Sequence, residues 1–464
     1  MRYDVGVETV RATDVFTPTT PARFAFVERQ SLNDSLVDAL RTPGKQVVVY
    51  GPSGSGKTTL LVNKLEQLYP DHITTRCTVA TTFETLLLSA FDGLNVYYSS
   101  TASIKRASGI STKLETDYFG IKSAIEYTAS RETQVGVSRL IPPQLTPQRL
   151  AEFCGAAGCC WVWEDFHKVP VAEKAKVAQV MKVFMDSAAE YKDVKVVAVG
   201  AVESAREVVQ YDPEMRNRVA EIAVPLMNHD ELDQVLSKGE KLLNVRLGTS
   251  RGKIATYSSG LAAVCHQLGL NICFSLGIQE TCPQVVLVLE AQLRSAVERY
   301  LSDASDTLKA VFELALKQQR TRRFDNTRLI LLVMAQLGDS GGTHAEILKA
   351  IRQTNTNYPA SNLTAYLHEL QTSKRGEILR YSSASGRYFY ADPLYLAYSQ
   401  CLLKPPNDVK IRLMEFEFGA EPLLERLWQS MVFFRTNRSP SVNDSEKGDV
   451  GDAAFVTVED LKNS

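Results

Sequence analysis

No apolar run in the chain approaches the ~20 residues that a membrane-spanning helix needs, so no membrane partner is expected. An excess of one charge is missing as well. The chain carries 52 Lys+Arg against 53 Asp+Glu, a net charge of −1, which excludes a polybasic nucleic-acid coat. None of the 8 cysteines belongs to a CxxC pair, and the adjacent Cys159-Cys160 sits in an apolar run. A zinc cluster wants paired Cys or His at short spacing, so no metal cluster is expected. Cys77, Cys154, Cys159, Cys160, Cys265, Cys273, Cys282 and Cys401 read as reduced, mostly buried thiols of a cytosolic protein. The opening Met1-Arg2-Tyr3-Asp4 runs into mixed polar sequence without the pattern of a secretory leader, so a cytoplasmic location is expected. What is present is ordinary for a folded chain: 464 residues, 44% hydrophobic and 23% charged. At roughly 150 residues per domain, about three domains are expected.

Periodicity divides the chain. A lead-in over 1–44 holds Thr/Pro-rich sequence and a short helix from Leu32 to Leu40, broken by Pro43-Gly44. Lys45 to Tyr50 is a β-branched run, the signature of a buried parallel strand. Further strands are expected over Ile73 to Val79, Cys159 to Trp163, Val194 to Val199 and Glu221 to Val224, with helices between them. This alternation predicts an α/β core over 45–225, a parallel sheet with helices on both faces. Residues 92–144 break the pattern and read as an insertion. Helical patterning over 226–319 predicts a helical lid. A basic region over 320–404, a helical extension over 405–435 and a disordered tail over 436–464 complete the expected organisation.

Gly51-Pro52-Ser53-Gly54-Ser55-Gly56-Lys57-Thr58 fits G-x-x-x-x-G-K-[ST] throughout and lies between a predicted strand and a predicted helix, the context this phosphate loop requires. Glycines at 51, 54 and 56 let backbone N–H groups turn inward toward phosphate oxygens. The helix behind them adds the positive end of its dipole. Lys57 supplies a point charge for the β and γ phosphates, and the Thr58 hydroxyl can ligate Mg²⁺. Gly51, Ser53, Gly54, Ser55, Gly56, Lys57, Thr58 and Thr59 are the expected nucleotide-binding residues.

Trp161-Val162-Trp163-Glu164-Asp165-Phe166-His167 looks like a Walker B element, an apolar strand ending in carboxylates and expected beside the phosphate-loop strand. By register, Glu164 falls at the Mg²⁺ position and Asp165 at the position that polarises the attacking water. The usual acidic order is inverted, so that division stays open, as does a plain N-cap role for Asp165. His167 reads either as a nucleotide sensor or as a structural histidine. After the fourth strand, Glu203 and Ser204 occupy the sensor position, which a simple helix start explains equally well. Arg216 and Arg218 precede the last strand. Arg218 is the better candidate for an arginine reaching a neighbouring subunit's phosphates; the alternative is a surface ion pair to Glu214 or Glu221.

Residues 320–404 carry 11 Lys+Arg and 6 Asp+Glu and read as a winged helix. Its helices fall over Leu329 to Leu337, Ala345 to Ile351 and Ala360 to Leu370, with strands Ile378 to Tyr381 and Arg387 to Tyr390 around a wing. A DNA role would use Asn362, Thr364, Lys374, Arg375, Arg380 and Arg387. The net +5 is modest and the third helix nearly uncharged, so protein docking stays open beside DNA contact. Ile411 to Phe434, apolar and aromatic, is expected to pack on the domain.

Phe26-Val27-Glu28-Arg29, the phosphate loop, Glu164-Asp165-Phe166-His167, Arg218 and the helical lid together resemble AAA+/STAND-type ATPases near the archaeal replication-initiator-like branch, the neighbourhood of bacterial mobile-element and phage-defence ATPases. The resemblance covers roughly residues 16–400 and implies a Mg²⁺-dependent ATPase that switches between assemblies. It implies ATP as ligand, a homo-oligomer and a partner protein. The lid helix reads Gly260-Leu261-Ala262-Ala263-Val264-Cys265-His266 and lacks the arginine often used as second sensor; His266 stands there instead, as substitute or as buried structural histidine. The main expectation is a slow ATPase switch whose nucleotide state controls oligomerisation and action on a partner protein, in a phage-defence or mobile-element system. A DNA-bound initiator or transposition-regulator ATPase and a weakly hydrolysing scaffold are the alternatives.

Overall fold

The computed structural model describes residues 9–94, 145–200, 213–318 and 323–404. The insertion from residue 95 onward, Glu203 and Ser204, the extension over 405–435 and the tail over 436–464 lie outside the described residues. The chain divides into two units, Met1–Pro406 and Asn407–Ser464, and the elements below belong to the first.

Five strands form the central sheet: β1 (Gln46–Tyr50), β2 (His72–Arg76), β3 (Cys160–Glu164), β4 (Lys195–Gly200) and β5 (Val219–Ala223). Their order is β2-β3-β4-β1-β5 and every pairing is parallel. The expected α/β class stands. One expectation needs correction: β3 is not beside the phosphate-loop strand, because β4 lies between them. Both strands are apolar runs, so periodicity alone does not reveal which of them neighbours β1. β2 is an edge strand, and its alternation of buried Ile73 and Thr75 with exposed Thr74 and Arg76 marks it as one.

Successive residues of each strand point to opposite faces. Val48, Trp161, Trp163, Val196 and Ala198 meet the helices Phe83–Gly93, Pro147–Ala156 and Val171–Ser187 on one face. Val47, Val49, Cys160, Val162, Val197 and Val199 meet the helices Gln30–Arg41 and Lys57–Leu68 on the other. Behind β3, the Trp161 and Trp163 rings pack edge to face at 5.1 Å and Phe166 stacks on Trp163 at 5.9 Å. Trp161 donates from its ring nitrogen to the Thr75 hydroxyl at 3.0 Å, so β3 is pinned to β2 just below its acidic tip.

A second core gathers the helices His229–Leu243, Ser250–Ser258, Ala262–Ser275 and Glu290–Ser302. Its first helix starts with a capping box between Asn228 and Glu231. The lead-in is part of this core: Ala12, Val15, Phe16, Ala25 and Val27 are buried in it. Phe16 lies across two helical glycines; a Cβ on Gly239 or Gly269 would come within 2.3 or 2.7 Å of its ring. Phe26-Val27-Glu28-Arg29 then joins this helical core, the region expected to form a lid, to the sheet domain. Glu28 pairs with Lys64 of the phosphate-loop helix at 3.2 Å, and Arg29 pairs with Glu231 at 2.9 Å while donating to the Pro225 and Leu226 carbonyls.

A third core holds the helices Asn326–Leu337, His344–Thr354 and Ala360–Glu369, the antiparallel hairpin Leu379–Ser382 with Arg387–Tyr390, and the helix Pro393–Leu403. The helix Asp306–Leu316 packs here through Leu308, Phe312 and Ala315, rather than with the lid helices it follows in sequence.

Candidate functional site

The phosphate loop turns from β1 into the helix Lys57–Leu68, at the carboxyl end of the sheet. Two of its glycines are required by the backbone. A Cβ on Gly51 would fall 2.2 Å from the Val224 carbonyl oxygen, so the loop can leave the sheet beside β5 only without a side chain there. Gly56 has φ +90 and nothing within 4 Å of its Cβ position, a left-handed residue beside open space. Lys57 folds back over the loop and donates to the carbonyls of Gly51 at 3.0 Å and Pro52 at 2.7 Å. Burial holds its pKa below the usual lysine value, and the Asp165 carboxylate opposes that shift, so Asp165 stands within electrostatic reach of Lys57. Ser53 and Thr58 are exposed, Thr59 is half-buried, and Ser55 is buried with a hydroxyl that has no hydrogen-bond partner.

Glu164 ends β3 on the same face as Cys160 and Val162, the face covered by the phosphate-loop helix. Its carboxylate accepts from Arg76 Nε at 3.1 Å. Arg76 is the last residue of β2 and the register partner of Glu164. Asp165 follows in a left-handed conformation, φ 57 and ψ 35, which aspartate tolerates better than most residues. No side-chain cap bond forms there; its carboxylate pairs instead with Lys168 at 2.7 Å. The backbone N–H of Cys77 donates to the Glu164 carbonyl at 2.8 Å. Burial, and then the Asp165 and Glu164 carboxylates, push the Cys77 thiol up to about 12, which keeps it protonated beside the acids. His167 is exposed.

These residues fit a nucleotide with its metal. The cradle at Gly56 is open, Lys57 rests on carbonyls of its own loop, and the exposed Thr58 hydroxyl and Glu164 are oxygen donors of the kind Mg²⁺ takes. Among the described residues, no group of three or more His, Cys, Asp or Glu is placed to hold a metal by itself. A Mg²⁺ ion held by only one or two protein oxygens takes its remaining ligands from substrate phosphates and water.

Arg218 is elsewhere. It immediately precedes β5, whose Val219 pairs with Gln46 at the start of β1, the sheet end opposite the phosphate loop. Its guanidinium Nη1 pairs with Asp186 at 2.7 Å, not with Glu214 or Glu221. Glu214 pairs with Lys182 at 2.7 Å. His266 is buried in the lid core, where its Nδ1 accepts from the Thr17 backbone N–H at 3.1 Å and desolvation lowers its pKa to about 4. It is a structural histidine.

In the third core the expected DNA contacts separate. Arg375 is buried and bonded to Glu369 and to the carbonyls of Leu314 and Lys317, so it is corrected from a nucleic-acid contact to a structural arginine. Arg387 pairs with Glu346 at 2.9 Å, and Asn362 donates to Asn326 at 3.2 Å. Thr364 bonds to His344 at 3.0 Å. Lys374 and Arg380 are exposed.

The sequence reading did not single out Arg76, Lys168 or Asp186. Arg76 was hidden by extending the second strand to Val79; ending it at the charged residue opposite Glu164 reveals the pair.

The chain matches no family model, and no curated protein matches it. Solved structures do resemble it. A Walker-type ATPase of Pyrococcus abyssi is 15% identical with a TM-score of 0.45, over 82% of this chain and 98% of that one. The ORC2 protein of Aeropyrum pernix is 12% identical with a TM-score of 0.43, over 83% and 95%. Cdc6p from Pyrobaculum aerophilum is 14% identical with a TM-score of 0.38, over 86% and 100%. Likenesses this distant carry no argument about activity.

Proposed function

We propose that this chain is an ATP-binding and slowly hydrolysing switch, whose nucleotide state controls its assembly and its action on a partner protein. The carrying observation is the phosphate loop in its strand–helix setting, with Lys57 folded over the loop carbonyls and the Glu164-Asp165 pair following β3 in the same parallel sheet. Loop N–H groups and the helix N-terminus bind the phosphates, and Lys57 exchanges its loop carbonyls for β and γ phosphate oxygens. Thr58 and Glu164 would hold Mg²⁺, which would supply charge neutralisation across the phosphates. Asp165 accepts the proton of the attacking water once its carboxylate has parted from Lys168.

Arg218 acts in trans. Its place at the far end of the sheet keeps it from its own phosphate loop and supports a reach toward a neighbour's. The choice of ATP over other nucleotides, and a setting in phage defence or mobile elements, rest on the family resemblance. Three helices followed by a two-stranded hairpin, with Lys374 and Arg380 exposed, support a second reading, a winged helix that contacts DNA through phosphates.

Phosphate release by the purified chain, with ATP affinity measured in parallel, tests the proposal. Asp165→Ala should keep ATP affinity and lose most turnover. Undiminished turnover would remove Asp165 from the chemistry, and absence of ATP binding by the unaltered chain would overturn the proposal.

A further inference from the structure

Arg218 lies beside an open cleft of about 510 Å³ at the amino end of β1 and β5, walled by Thr42 to Lys45 and by the last turn of the helix Val171–Ser187. That last turn carries Asp186, whose carboxylate takes Arg218 Nη1 at 2.7 Å. Both side chains remain open to solvent, 39% for Arg218 and 60% for Asp186. The helix end adds carbonyl oxygens with no intrahelical partner, a field that favours a cation there. Two neighbouring cations are engaged elsewhere: Lys182 pairs with Glu214, and Lys195 donates to the Thr42 and Lys45 carbonyls. Arg218 is fixed from below as well, since its backbone N–H donates to Met215 O at 2.9 Å and its carbonyl accepts from Gln46 N at 2.9 Å.

We propose that Asp186 is a positioning residue for Arg218: it holds one edge of the guanidinium at the cleft mouth and leaves Nε and Nη2 to meet the phosphates of a neighbouring subunit. The inference rests on the reading of Arg218 as a group acting in trans. An exposed single-edge pair is too weak to lock the arginine away, and strong enough to narrow the directions it samples. Exposed pairs of this kind correspond to about a two- to fivefold effect on a rate. Arg218 itself, as the charge that meets the transition state, carries a far larger one.

The test compares kcat and ATP affinity of the assembled full chain for the unaltered protein, Asp186→Ala, Asp186→Glu, Arg218→Ala and the Asp186→Ala/Arg218→Ala double variant. Asp186→Ala should lower kcat about two- to fivefold with ATP affinity unchanged. Asp186→Glu should restore part of the loss, and the double variant should be no slower than Arg218→Ala alone. An Asp186→Ala enzyme with undiminished kcat, while Arg218→Ala is impaired, overturns the positioning role and leaves Arg218 in place. Additive losses in the double variant overturn it too, because they mean that Asp186 acts through something else. Full activity of Arg218→Ala defeats the trans reading itself, a result separate from either.

Discussion

Lys57 reaches back to the Gly51 and Pro52 carbonyls, the two contacts that it would exchange for phosphate oxygens on the proposed reading. The charges around it are graded in the same way. Glu164 has the exposed Arg76 as counter-ion and Asp165 has Lys168, pairs of the kind that contribute little to stability. His266 is the opposite kind of residue. It is neutral, buried and committed to the Thr17 N–H. Its folded pKa, about 4, lies below the unfolded value of about 6.5. Stability from this site is therefore present above pH about 6.5 and lost as pH falls toward about 4, because the unfolded chain binds the proton first. Denaturation midpoints measured between those pH values should fall with acidity. His266→Asn, which keeps an acceptor but cannot titrate there, should flatten that dependence. An equally steep decline in the variant would show that other groups dominate.

At the scale of elements, the lid and the sheet domain are joined through the lead-in rather than by a single linker. Phe16 fills the space over Gly239 and Gly269, and Glu28 and Arg29 bridge the phosphate-loop helix to the first lid helix. Phe16→Ala should remove a buried aromatic ring and cost about 3–5 kcal/mol of stability, read as a lower chemical-denaturation midpoint. A change below about 1 kcal/mol would mean that the segment does not belong to the lid core. The sequence made some of this legible and hid the rest. Phosphate-loop glycines at fixed spacing and the apolar run ending in Glu164-Asp165 are local signals, and local signals survive without knowledge of the fold. Strand order is not local, so β3 was expected one place too close to β1. The helix Ser250–Ser258, inside the expected helical span, carries little amphipathic contrast because its buried residues include Ser250 and Ser258. Phe16 looked like part of a Thr/Pro-rich leader because its partners lie more than 220 residues away in sequence.

Across the whole molecule, the two charged sites occupy opposite ends of one sheet: the loop and acids at the carboxyl end, Arg218 with Asp186 at the amino end. On the proposed reading of Arg218, a second copy of the chain would complete a site divided in this way, so assembly is part of the proposed chemistry. All eight cysteines are free, and among the described residues no helix is long and apolar enough to cross a membrane. The central claim is that the Gly51–Thr58 loop binds a nucleoside triphosphate through Lys57. Its most direct test is calorimetric titration of ATP with Mg²⁺ into the full chain, unaltered and as Lys57→Ala. The account predicts saturable binding by the unaltered protein, abolished or weakened at least about tenfold by the substitution, a loss of about 1.4 kcal/mol or more. Equal affinity in the two proteins would contradict it.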